Sequence, residues 1–153
     1  FLVIGKTSER YLSEGMAQFE SRLKHYSPFE TIVVPDIKGG GKRTTDVLKE
    51  LEFEAFRKHF QPGDWMVLLD EKGKRYTSRG FAQQMQKWMN AGPKRLVFIV
   101  GGAFGFSPKM YEKANGLLSM SEMTTSHQLI RVVFLEQIYR DFTILNNEPY
   151  HND

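Results

Sequence analysis

Apolar residues along this chain fall into two periodicities that take turns. Short, nearly uninterrupted apolar runs at Leu2-Val3-Ile4, Phe29 to Val34, Trp65 to Asp70, Leu96 to Val100 and Leu117 to Met120 predict five buried strands. Helical spacing fills the intervals. After Thr7 and Ser8, the residues Tyr11, Leu12, Met16, Phe19, Leu23 and Tyr26 recur at three- and four-residue steps, and Pro28 ends that helix. A second helix starts near Thr45, carries Leu48, Leu51, Ala55, Phe56 and Phe60 on one side, and stops at Pro62-Gly63. A third runs from about Ser78 with Phe81, Met85, Trp88 and Met89 to Gly92-Pro93. A short helix with Ser107 as its N-cap and Pro108 as its first residue closes at Gly116, and the last spans about His127 to Leu145.

Strands alternating with helices specify an α/β fold: a mostly parallel sheet with helices on both faces, here a single domain over residues 1–153. The last helix is apolar nearly all round, from Leu129 and Ile130 through Phe134, Leu135 and Ile138 to Ile144 and Leu145. Such a helix must be covered on most sides. In a domain this small a second subunit is the expected cover, which predicts a homodimer; a wholly internal helix is the other reading.

Gly101-Gly102-Ala103-Phe104-Gly105 joins the fourth strand to the short helix. Strand, glycine loop and helix in that order can build a small-molecule site at the carboxyl end of a sheet. The spacing is not Gly-x-Gly-x-x-Gly, so the loop alone names no cofactor and reads equally well as a tight turn.

The charge balance narrows the classes of partner only slightly. There are 21 basic and 18 acidic residues, a net charge of +3. Lys38, Lys42 and Arg43 surround Gly39-Gly40-Gly41, and Lys72, Lys74, Arg75 and Arg79 cluster beyond the third strand. Basic residues on loops suit phosphate contacts, or remain solvated with no partner. Zero cysteines exclude disulfides, thiolate metal sites and cysteine catalysis, and fit a cytoplasmic protein. No apolar run approaches the roughly 20 residues of a membrane span.

His25, His59, His127 and His151 lack metal-ligand spacing, so no metal is expected. There is no P-loop and no Gly-x-Ser-x-Gly elbow. What remains is Ser121-Glu122-Met123-Thr124-Thr125-Ser126-His127, which can offer hydrogen bonds to a ligand or cap the last helix. Arg131 and Arg140 are embedded in that helix, where a cation pairs or binds a ligand. Tyr150 and His151 follow Pro149, which points them away from the helix, or leaves them in a disordered tail.

Leu-Asp-Glu-Lys-Gly-Lys at 69–74, Ile-Val-Gly-Gly-Ala-Phe-Gly-Phe-Ser at 99–107, Ser-Glu-Met-Thr-Thr-Ser-His-Gln-Leu-Ile-Arg at 121–131, Glu-Gln-Ile-Tyr-Arg at 136–140 and Glu-Pro-Tyr-His at 148–151 closely resemble the ribosomal large-subunit RNA methyltransferase H family, of the SPOUT class. The resemblance implies a C-terminal trefoil knot, a homodimer, S-adenosyl-L-methionine as methyl donor, and methylation of N3 of a pseudouridine in the 23S ribosomal RNA of the assembled ribosome. It implies a cofactor site at Leu69, Gly101, Gly102, Met120, Ser121, Glu122, Met123, Thr124 and Thr125. Tyr150 and His151 of the partner subunit would approach the methyl donor. The family often has Pro where Ser126 stands here, which would loosen that loop.

Methyl transfer from a sulfonium needs alignment rather than a protein nucleophile or a metal. The acceptor N3 must lose a proton, and His127 and His151 are the candidate bases. Arg140 or Arg131 would contact phosphate or a base carbonyl. The rival reading is a non-catalytic RNA-binding module using the basic loops, which would bind RNA with steep salt dependence and ignore S-adenosyl-L-methionine. A dinucleotide-dependent oxidoreductase is disfavoured by the missing fingerprint.

Overall fold

A computed structural model describes residues 1–37 and 43–152. The elements run β1 (Leu2–Ile4), α1 (Arg10–Leu23), β2 (Ile32–Val34), α2 (Thr45–Arg57), β3 (Asp64–Lys74), α3 (Ser78–Asn90), β4 (Arg95–Val100), α4 (Pro108–Lys113), β5 (Gly116–Leu118) and α5 (Leu129–Leu145). All strand pairs are parallel, in the order β2-β1-β4-β3-β5. Of the basic cluster at 38–43, only Arg43 lies within the described residues.

Successive side chains of a strand point to opposite faces, so an apolar run in a sheet covered on both sides feeds two cores. In β4, Val97 and Ile99 enter one core and Phe98 and Val100 the other; in β3, Met66 and Leu68 oppose Val67 in the same way. The core holding Phe98 and Val100 is closed by α1, α3 and α5, through Leu23, Met85, Trp88 and Phe134. The core holding Val97 and Ile99 is closed by α2 and α4, through Phe53, Phe56 and Met110. Thr44, Thr77 and Ser107 cap their helices with side-chain oxygens that accept from backbone N–H groups.

Three expectations need correction. Tyr11 belongs to no buried face: it is 67% exposed, and α1 packs through Leu12, Met16 and Leu23. β3 does not stop at Asp70 but continues to Lys74, with a register shift against β5 between Leu69 and Lys74. Lys72 and Lys74 therefore stand on a strand rather than a loop, and Arg75 just beyond it pairs with Glu122. The extension rests on Gly73, where a Cβ would fall within 3.0 Å of the Leu118 and Ser119 backbone, so only glycine permits so close an approach.

The last helix, begun at Leu129 rather than His127, is covered mostly from within its own chain, by the sheet, α1 and α3. Leu129 and Val133 are its exposed large apolar residues. Covering this helix therefore does not by itself demand a second subunit. Arg131, expected to pair or to bind a ligand, has no acid partner among the described residues and pairs with backbone and hydroxyl oxygens instead. It is wholly buried and donates to Ile4 O at 2.5 Å, Gly5 O at 2.9 Å, Thr7 Oγ1 at 3.0 Å and His127 O at 3.0 Å.

Truncating it orphans several buried acceptors, each costing roughly 1–3 kcal/mol. Arg131→Ala is therefore expected to lose at least about 3 kcal/mol in urea unfolding, and Arg131→Lys part of that. Asp141 presents the reverse problem. It is fully buried, neither carboxylate oxygen has a hydrogen-bond partner among the described residues, and burial pushes its pKa from 3.8 to about 8. An acid held protonated in the fold favours folding below its unfolded pKa and costs stability as pH climbs towards the folded one. Asp141→Asn should raise Tm near pH 8 and leave it nearly unchanged near pH 4, read by calorimetry.

Candidate active site

The strands β4, β3 and β5 are neighbours, so the chain leaves the sheet three times along one edge. Those exits enclose a cleft of about 330 Å³, within the usual size of small-molecule sites. Leu69 to Glu71 form one wall, Gly101, Gly102, Ala103, Gly105 and Phe106 a second, and the segment after β5 a third, with Ile130 of α5 closing the end. Leu69, Gly101, Gly102, Met120, Ser121, Met123, Thr124 and Thr125 all line it, as does His127. Glu122 belongs to the same loop but turns out of the cleft to meet Arg75.

The polar loop both caps a helix and faces the cleft. Ser126 Oγ accepts from Leu129 N at 3.1 Å and Ser126 O from Ile130 N at 3.0 Å, so the residue expected to loosen the loop ties it to α5. Ser121 Oγ accepts from Met123 N at 2.9 Å, and Ser119 N donates to Lys74 O at 3.0 Å. The third wall is thus pinned at both ends.

Behind the glycine loop stands a carboxylate that sequence reasoning missed. Gly102 N donates to Glu52 Oε2 at 3.2 Å, and a Cβ on Gly102 would run into that carboxylate. Burial pushes the Glu52 pKa up, Gly102 N–H opposes the rise, and Asp36 adds to it. Leu48, Glu52 and Phe56 are four apart, so a lone acid in the inward stripe of α2 was the available signal. Gly101 sits against a different neighbour, the buried Phe106 ring, 3.0 Å from where a Cβ would be. Gly101→Val would therefore disturb packing as well as the cleft.

Burial pushes the His127 pKa below its ordinary 6.5; Arg131 beside it lowers it further and Asp36 works against the shift. The imidazole is consequently neutral near neutral pH and able to accept a proton.

Arg140, Tyr150 and His151 gather elsewhere. Arg140 donates to Glu136 Oε1 at 2.6 Å and lies 3.3 Å from His151 Nδ1, and its guanidinium covers the Tyr150 ring at 4.8 Å. Tyr150 Oη donates to the same Glu136 oxygen at 3.1 Å, and its ring meets Tyr139 edge-on at 4.8 Å. The tail is folded back onto α5, contrary to the expectation that Pro149 turns it away. None of these residues lines the cleft. Arg140 is eleven residues along α5 from Leu129, roughly 16 Å at the helical rise. Glu136, which holds both Arg140 and Tyr150, stood in the sequence only as part of a motif, with no role assigned to it.

A family model described as "Predicted SPOUT methyltransferase" matches residues 1–151. The chain belongs to the SPOUT methyltransferase family. Curated relatives agree along almost the whole length. A Parabacteroides distasonis protein named ribosomal RNA large subunit methyltransferase H is 52% identical, the match covering 99% of this chain and 97% of the relative. Proteins of the same name from Bacteroides thetaiotaomicron and Cytophaga hutchinsonii are 47% and 46% identical; the matches cover 99% and 97% of this chain and 97% and 96% of theirs. Among the described residues no cluster of side chains could hold a metal ion, and no helix is long and apolar enough to cross a membrane.

The brace behind the glycine loop can be tested without any ligand. Glu52→Ala removes the acceptor of Gly102 N–H, and amide exchange at Gly102 should accelerate about tenfold. Glu52→Gln keeps an acceptor oxygen and should stay close to the wild-type rate.

Proposed function

We propose that this protein transfers a methyl group from S-adenosyl-L-methionine to N3 of a pseudouridine in large-subunit ribosomal RNA. It would work as a cytoplasmic homodimer on the assembled ribosome, with the C-terminal part of the chain threaded as a trefoil knot. Full-length similarity to enzymes named for large-subunit ribosomal RNA supports the reading. The observation that carries it is the meeting of Leu69, Gly101-Gly102, Met120, Ser121 and Met123 to Thr125 in one cleft with His127.

The residues present suit the cofactor. Val100, Phe106, Leu118 and Ile130 give apolar surface for a heteroaromatic ring, and the hydroxyls and backbone of residues 119–125 give polar partners. The donor would be held by Leu69, Gly101, Gly102 and the segment Met120 to Thr125. Bound there, S-adenosyl-L-methionine would supply an electrophilic methyl group. The chain itself contributes alignment. Its second contribution is a proton acceptor: His127, kept neutral by burial and by Arg131, can take the proton from N3–H at a ring nitrogen. Arg140, Tyr150 and His151 lie too far along α5 to serve the cleft of their own subunit, so in this reading they serve that of the partner. Glu136 pre-orders them for it.

Calorimetric titration with S-adenosyl-L-methionine should give saturable binding, and absence of heat at millimolar cofactor would sink the proposal. Ribosomal RNA from a strain lacking the protein should lack one methyl group by mass spectrometry. The acid limb of the pH–rate profile should have its midpoint below pH 6.5, the direction in which His127 is shifted, and should vanish in His127→Asn. Co-expressing a His127→Asn subunit with a Tyr150→Ala, His151→Ala subunit should restore activity to the mixed dimer.

A further inference from the structure

A second cleft, about 590 Å³, adjoins the first and is not used by the cofactor reading. The two share a partition of Leu69, Asp70, Glu71, Ala103, Gly105 and Phe106. On the far side stands Phe104, 55% exposed, and it lines only this second cleft. Its position comes from the backbone. Gly105 N donates to Gly102 O at 3.3 Å, and Gly105 takes φ +77, so the chain turns tightly and carries residue 104 out at the tip. Phe106, two residues on, is buried in the core. One glycine loop thus directs one ring inward and another to the surface, beside the place where chemistry is proposed.

The remaining walls are polar. Tyr111 Oη donates to Asp70 Oδ2 at 2.6 Å, Lys72 N donates to Asp70 Oδ1 at 2.8 Å, and the Lys72 ammonium lies 5.7 Å from the Tyr111 ring centroid. Lys49 of α2 stands across from them. An exposed aromatic face bordered by lysines for phosphate, and by carboxylates able to accept from base N–H groups, matches an unstacked nucleotide. A purely apolar ligand would not need that rim. Nor would a small anion need the ring. A base inside a helix cannot offer N3 to a methyl donor, so an RNA substrate must be unstacked at this edge of the sheet.

We propose that Phe104 and the cleft behind it bind an unstacked base of the RNA substrate, the ring stacking on its face. The inference rests on the methyltransferase reading for its choice of substrate, yet it is tested by binding alone. A short fluorescein-labelled oligouridylate is titrated against wild type, Phe104→Ala, Phe104→Leu and Phe104→Trp, with anisotropy as the readout. Stacking predicts a Kd raised about tenfold in both Ala and Leu variants. Trp should match or improve on wild type, because a π-face rather than apolar volume is what the base contacts. Affinity for S-adenosyl-L-methionine should be the same in all four, since Phe104 is absent from that cleft. The proposal is overturned if Leu binds as tightly as Phe or if wild type has no measurable affinity for the probe. It is equally overturned if light scattering shows that the Ala variant loses RNA only because it loses its dimer, which would make Phe104 a subunit contact. A wild type that binds the probe through Phe104 but takes no cofactor would fail the methyltransferase reading alone.

Discussion

The buried guanidinium of Arg131 ties the architecture to the site. A cation without an acid partner inside a protein is tolerated only when oxygens replace its hydration. Here the oxygens come from the carboxyl end of β1, from Thr7 just beyond it, and from the turn that opens α5. One side chain thereby fixes the entry of the last helix against the first strand, residues more than a hundred apart in the chain. His127 is held through its own carbonyl by the same group, whose charge also disfavours the imidazolium. Arg131 therefore positions the candidate base and adds to the lowering of its pKa that burial begins.

The cleft depends on close approaches of backbone more than on side-chain bulk. Gly73 lets β3 run on against β5 and hold the start of the polar loop, while Gly102 leaves room for the Glu52 carboxylate and donates to it. The walls are short, and each is tied to a regular element: β3, α2 or the first turn of α5. A site built this way is aligned before its ligand arrives, which is what a reaction governed by near-attack geometry requires. The glycine loop has two further consequences, since its turn sends Phe106 into the core and Phe104 to the surface.

The candidate catalytic groups fall into two sets that stand apart in this chain. His127 faces the cleft; Arg140, Tyr150 and His151 form a compact cluster around Glu136. The cluster is ordered by an ion pair, a hydrogen bond and ring contacts. The homodimer is thus argued better from this division than from the apolar surface of α5, most of which the chain covers itself.

Alternating periods were enough to read the order of strands and helices, because burial on both faces imposes uninterrupted apolar runs and amphipathic helices impose three- and four-residue steps. The cap at Ser107 and the helix start near Thr45 were legible for the same local reason. The cleft-lining segments were recognisable from their motifs, although the outward turn of Glu122 was not. Other features answer to partners distant in the chain. Gly73 extends β3 because the backbone of Leu118 lies against it, and Tyr11 leaves the helix face because α1 packs through Leu12 and Met16. Glu52 matters because Gly102 is there, and Arg131 binds carbonyls because β1 ends beside it. A residue's period is written in its neighbours along the chain, whereas its hydrogen-bond partner exists only once the sheet has brought remote segments together. The sequence by itself therefore determined which segments are strands, helices and ligand loops. Tertiary structure alone decided which polar groups brace the cleft, which face it, and which gather away from it.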